Sequence, residues 1–181
     1  MPPDTDALDP FAGSLSHAEA LVLVWQPLAD LPDSAEAADL NRRAAALLTL
    51  LGNLDEPAPV PEDEPHLAAQ LQRIEQKVDL LMNLVGQWLT RELALPPAQP
   101  ARIAVRGALW QTETPPGAGR IDIYLRPGLP VALTLPALLQ RASGGQMLAE
   151  FQGLDAAVTE GLERYIFRCH RRAVAQSRRP G

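Results

Sequence analysis

The chain has 181 residues, 46% of them hydrophobic and only 4% aromatic, enough for one apolar core and too much for global disorder. Its net charge of −6 is uneven: residues 1–98 hold 16 acidic and 5 basic side chains, residues 99–181 hold 6 and 11, so the basic part is tied to an acidic part that opposes approach to a phosphate backbone. The single cysteine, Cys169, excludes an internal disulfide and a multi-cysteine zinc site.

Residues 1–19 are rich in Pro, Asp, Gly and Ser and are expected to be flexible. Asp4, Asp6 and Asp9 stand where a secretory signal would be basic, so a cytoplasmic, reduced protein is expected. The run Ala20-Leu-Val-Leu-Val-Trp25, closed by Pro27, predicts a strand and is far short of the ~20 residues that span a bilayer, so no membrane insertion is expected. Asp33 or Ser34 can cap a helix with Leu40, Ala44, Leu47, Leu48 and Leu51 on its apolar stripe and Gly52 as its stop. Four prolines and five acids between Asp55 and Pro65 predict a stiff, solvated linker.

Residues 66–95 carry a heptad repeat. Leu71, Val78 and Val85 fall at a, and Leu67, Ile74, Leu81, Trp88 and Leu95 at d. Met82, Leu84 and Leu89 widen this face into e and g, which suits three or more helices better than two. The apolar seam Leu67, Leu71, Ile74, Val78, Leu81, Val85 and Trp88 is therefore the expected oligomer interface, with residues 20–98 as a helical oligomerisation region. Trp88 is large for such a core and is expected at the rim, where the bundle opens onto the next unit.

After Pro100 the period changes to two. Ile103, Val105, Gly107 and Leu109 alternate with Ala104, Arg106, Ala108 and Trp110, which would set Arg106 beside Trp110 on one strand face. A Pro115–Gly119 turn, a strand through Ile121, Ile123 and Leu125, a turn at Pro127-Gly128, and strands around Val131–Leu135 and Met147–Phe151 complete an antiparallel sheet or small barrel. A final helix, about Leu154 to Gln176, has Leu154, Val158, Leu162, Tyr165, Ile166 and Cys169 on its apolar face. Arg164, Arg168, Arg171, Arg172, Arg178 and Arg179 lie on it or just past it, where cations suit a helix C-terminus or a docking surface. A buried packing role is expected for Cys169, solvated side chains for His17 and His66, and a surface or helix-packing role for His170. No metal site, nucleophile elbow or phosphate-binding glycine loop is read from the sequence, so no catalytic residue is assigned and no enzyme is expected.

Helix, barrel and basic C-terminal helix in this order resemble the atypical, tetrameric PilZ subfamily. Ile74-Glu-Gln-Lys-Val-Asp-Leu-Leu-Met-Asn-Leu84, the strands from Arg102 to Trp110 and from Ile121 to Arg126, and Leu162-Glu-Arg-Tyr-Ile-Phe-Arg-Cys-His-Arg-Arg172 carry the resemblance. It implies an α+β fold: a small antiparallel PilZ-like β-barrel of six strands with a C-terminal helix over residues 99–181, and a long N-terminal heptad helix that forms a homotetramer. It also implies a place in cyclic di-GMP signalling. PilZ domains that bind this nucleotide use an Arg-x-x-x-Arg pair before the barrel and Asp/Asn-x-Ser-x-x-Gly on an early strand. Here Leu93–Ala101 holds no arginine, and the second motif falls on Arg102-Ile-Ala-Val-Arg-Gly107. Gly107 is kept, but Arg102 replaces the acid or amide and Ala104 the serine; Arg106 lies between. The expected protein is a non-enzymatic regulator with a degenerate nucleotide motif, no cofactor, no nucleic-acid partner and an unidentified protein partner. A functional cyclic di-GMP receptor is the alternative, and a nucleic-acid-binding regulator a weaker one.

Overall fold

In a computed structural model, which describes residues 9–55, 65–126 and 128–177, six antiparallel strands close into a barrel. They are β1 (Ser16–Pro27), β2 (Gln99–Ala104), β3 (Gly107–Gln111), β4 (Gly117–Tyr124), β5 (Leu133–Arg141) and β6 (Gln146–Phe151), in the spatial order β1-β2-β3-β6-β5-β4. The helices are α1 (Ser34–Asp55), α2 (Pro65–Glu92) and α3 (Ala156–Ser177). Strand alternation supplies the core: Leu23 faces Ile123, Trp25 faces Ile121, and Ile103 faces Ala108. Leu47, Leu48 and Leu51 of α1 and Val158, Leu162 and Ile166 of α3 join the same buried cluster. The two helices cross closely at Gly161, where a β-carbon would sit 3.0 Å from Leu48 Cβ.

Both helix starts are capped by carboxylates. Asp33 Oδ1 accepts from the Ala35 and Glu36 amides at 2.9 Å each, and Asp155 Oδ1 accepts from the Val158 amide at 2.8 Å. Between them, buried Asn41 ties α1 to the turn before α3: its Nδ2 donates to the Gly153 carbonyl at 2.8 Å and its Oδ1 accepts from the Asp155 amide at 3.3 Å. Asn41→Ala leaves both backbone groups without their partner and should cost about 2–3 kcal/mol. Urea unfolding measures this, and a loss below ~0.5 kcal/mol would show that water replaces the side chain.

Several boundaries differ from the sequence reading. The expected flexible segment ends early: β1 begins at Ser16, and Phe11 is buried against Ala104 and Leu109. β1 is a barrel stave, so residues 20–98 are not wholly a helical region. α1 runs past Gly52, whose missing side chain leaves room for the Arg168 guanidinium, 3.1 Å from where a β-carbon would lie. The single strand expected at 103–110 is a hairpin with Val105 and Arg106 in its turn. The reversal exchanges the faces: Ile103 points inward with Ala108 and Trp110, and Leu109 lies with Ala104 outside. Glycine at 107 permits this packing, because a β-carbon there would meet the Ala149 carbonyl oxygen at 2.5 Å. β4 takes in Gly117–Gly119 of the expected turn, and β5 starts at Leu133 with Val131 exposed before it. Residues 1–8, most of the acidic linker and Arg178–Arg179 lie outside the described residues.

Candidate functional site

Helix α2 has an amphipathic sequence, yet among the described residues most of its apolar face is left exposed on the single chain. The seam residues Leu67, Leu71, Ile74, Val78, Leu81, Val85 and Trp88 are each between 40% and 62% exposed. Met82 and Leu84 extend the exposed face, and so does Leu80 at a c position, which the heptad reading passed over. Monomeric soluble proteins rarely expose an apolar stripe of this length. Gly86 of this helix is buried against the barrel, where any side chain would overlap the Gly128 carbonyl oxygen. A mid-helix glycine costs about 1 kcal/mol against alanine; here it lets the helix backbone lie on the β4–β5 turn. Trp88, expected at the rim of the bundle, is 62% exposed on the single chain, like the rest of the seam. The helix ends at Glu92, and Ala94 turns the chain through a positive φ of 46°, which carries Leu95 off the seam.

The nucleotide motif has a different setting from the one its spacing implies. Arg102 lies on the outer face of β2, where it pairs with Asp9 and stacks its guanidinium 4.9 Å from the Phe11 ring centre. Ala104 is fully buried in the apolar cluster with Phe11 and Leu109, so this position offers no polar atom to a base. Arg106 is exposed at the hairpin turn, and its carbonyl accepts from the Phe151 amide at 2.9 Å. The expected Arg106–Trp110 contact is absent, since Trp110 is buried inside the barrel. The structure therefore gives Arg102 an intramolecular occupant and sets Arg106 apart from it on the turn. Phe11 and Asp9 were missed because a lone aromatic in a Pro-, Asp- and Gly-rich stretch has no periodicity to mark it.

At the end of the barrel covered by α3 lies a third polar group. The Tyr165 hydroxyl is 3.1 Å from Glu19 Oε1 and 3.0 Å from the Leu125 carbonyl, two acceptors for one proton. Burial first, then the neighbouring Cys169 and Glu19, push this phenol far above its ordinary range, so it remains a donor. Cys169 is buried, as expected, whereas His17 is on β1 with its side chain 14% exposed rather than in a solvated loop. His66 and His170 are exposed. Arg168, Arg171 and Arg172 line a groove along the last turns of α3. No helix among the described residues is long and apolar enough to cross a membrane.

A closed six-stranded antiparallel barrel with an external helix and a covering C-terminal helix defines a PilZ-like α+β protein. The profile of the atypical PilZ domain, described as a cyclic di-GMP receptor, matches residues 47–179, and the chain belongs to that family. The structure is similar to that of a pathogenic protein from Xanthomonas campestris, with a TM-score of 0.67 and 26% sequence identity over 91% of this chain and 92% of that one. That protein is described as a new tetrameric PilZ domain self-assembled via an unusual helical bundle. No curated protein matches the sequence. The family match begins within α1, so β1, which closes the barrel, precedes it.

Proposed function

We propose that this protein is a non-enzymatic, cytoplasmic regulator in cyclic di-GMP signalling that assembles as a homotetramer through α2 and acts by protein contacts. The observation that carries the proposal is the uncovered heptad face of α2, wide enough for more than two helices. The similar Xanthomonas campestris protein is described as a tetramer self-assembled via a helical bundle, which supports helix-mediated assembly here. Self-assembly sets several barrels at fixed spacing, a geometry suited to bringing partner proteins together.

The nucleotide locus supports a protein-contact role. Cyclic di-GMP presents two phosphates and two guanines, which need several charge-assisted donors to offset desolvation and ordering. Here the pre-barrel arginine pair is missing, Ala104 is apolar, and Arg102 is held by Asp9 and Phe11. Each charge-assisted hydrogen bond lost is worth about 1.5–3 kcal/mol, and a micromolar complex totals only about 8 kcal/mol. Calorimetric titration at physiological salt should show no saturable binding tighter than ~10 μM. The second reading, a functional receptor, has the family description and the arginine groove of α3 in its favour. Saturable binding that Arg102→Ala or Arg106→Ala abolishes would establish it in place of the first.

A further inference from the structure

The alternation of β1 places His17 and Glu19 on the same face as Leu21 and Leu23, opposite Ile103 and Ala101 of β2. That face lines the barrel core, where a strand is ordinarily apolar. Two polar side chains begin it, and they meet the core face of α3, which brings Tyr165 and Cys169 one turn apart. One donor atom each from His17, Glu19 and Cys169 lie within 4.8 Å of one another. His17 Nε2 is 3.9 Å from Glu19 Oε2, too far for a hydrogen bond. Ligands on one tetrahedral zinc, at bond lengths of about 2.0–2.3 Å, stand roughly 3.3–3.8 Å apart. A small closing movement would bring these three groups to that spacing.

The surroundings fit a ligand set as well as the distances do. The Tyr165 hydroxyl holds Glu19 Oε1, which leaves Oε2 on the side of His17. Such an outer hydrogen bond orients a coordinating carboxylate. Glu19 and Cys169 also line a cleft of about 280 Å³ that gives an ion a way in. We propose that His17, Glu19 and Cys169 form a site for one divalent cation of the zinc class, with its fourth position open to this cleft. Thiolate with imidazole selects such an ion over magnesium or calcium. Thiolate and carboxylate together balance the charge of the cation. Arg126 and Arg172 line the same cleft, so the fourth ligand should be hydroxide or a small anion. The bound ion would join the first strand to the last helix and stabilise the barrel closure.

The test uses the full chain under reducing, chelator-free conditions. Zinc titration against a chromophoric chelator should give one ion per chain with a Kd below ~1 μM, and cobalt should produce thiolate-to-metal charge-transfer absorption. His17→Ala, Glu19→Gln and Cys169→Ser should each weaken zinc by about ten-fold or more, while His66→Ala with His170→Ala leaves it unchanged. Wild-type protein without the charge-transfer absorption of a cobalt thiolate, or binding unchanged by His17→Ala and Glu19→Gln, overturns the proposal. The wild-type cobalt spectrum decides the matter even if Cys169→Ser does not fold.

Discussion

Val78→Asp combined with Leu81→Asp should convert the assembled protein into monomers at micromolar concentration. The two residues occupy neighbouring a and d positions and are 51% and 61% exposed on the single chain. In the proposed assembly their apolar area is buried between copies. Burying each such side chain is worth about 1.5–3 kcal/mol, repeated in every copy. The aspartates add unpaired carboxylates whose desolvation costs several kcal/mol each. In the isolated chain the same carboxylates remain in water, so the barrel should melt as before apart from any stabilisation that assembly gave it. Light scattering reads the mass and circular dichroism the fold. A monomeric wild type, or a double variant that keeps its mass, removes the assembly from the proposed function.

Leu162→Ala with Ile166→Ala should destroy cooperative folding. Both side chains have no exposed surface, and they belong to the cluster that joins α3 to Leu47, Leu48 and Leu51. A large-to-alanine change in such a core costs about 2–5 kcal/mol, so the pair approaches the ~5–15 kcal/mol that holds a domain of this kind together. The loss should appear in near-ultraviolet circular dichroism and in a urea transition that broadens or vanishes. Should the double variant unfold within about 1 kcal/mol of wild type, α3 is an appendage and its arginines gain weight as a docking surface.

The heptad seam and the α3 face were legible because each has a period that only one element satisfies. α2 and α3 accordingly lie within a few residues of the expected spans. The hairpin at Val105-Arg106 was hidden because apolar residues continue across it: Ile103, Ala104, Ala108 and Leu109 are all buried, two inside the barrel and two outside. With both faces covered, alternation carries no mark of the turn. The Arg102 site was half legible. Its departure from the nucleotide motif is written in the sequence, but its occupation by Asp9 and Phe11 depends on a fold-back that no local pattern signals. His17 and Glu19 were misplaced for a related reason: the strand reading began at Ala20, where the strong hydrophobicity begins, although the alternation extends back to them.

The place of β1 in the barrel has a consequence for the order of folding. β1 bridges β2 and β4, its first half on one and its second half on the other. More than seventy residues, including all of α1 and α2, separate the end of β1 from the start of β2. During synthesis β1 therefore emerges long before either neighbour exists, while the hairpins β2–β3, β4–β5 and β5–β6 can form as their chains appear. Closing a loop of that length is entropically slow compared with zipping a hairpin. The barrel should pass through a five-stranded open sheet in which β2 and β4 expose unpaired edges, the kind of surface that recruits other chains. The N-terminal strand is thus the piece that ends the nascent sheet's capacity to pair with a neighbour.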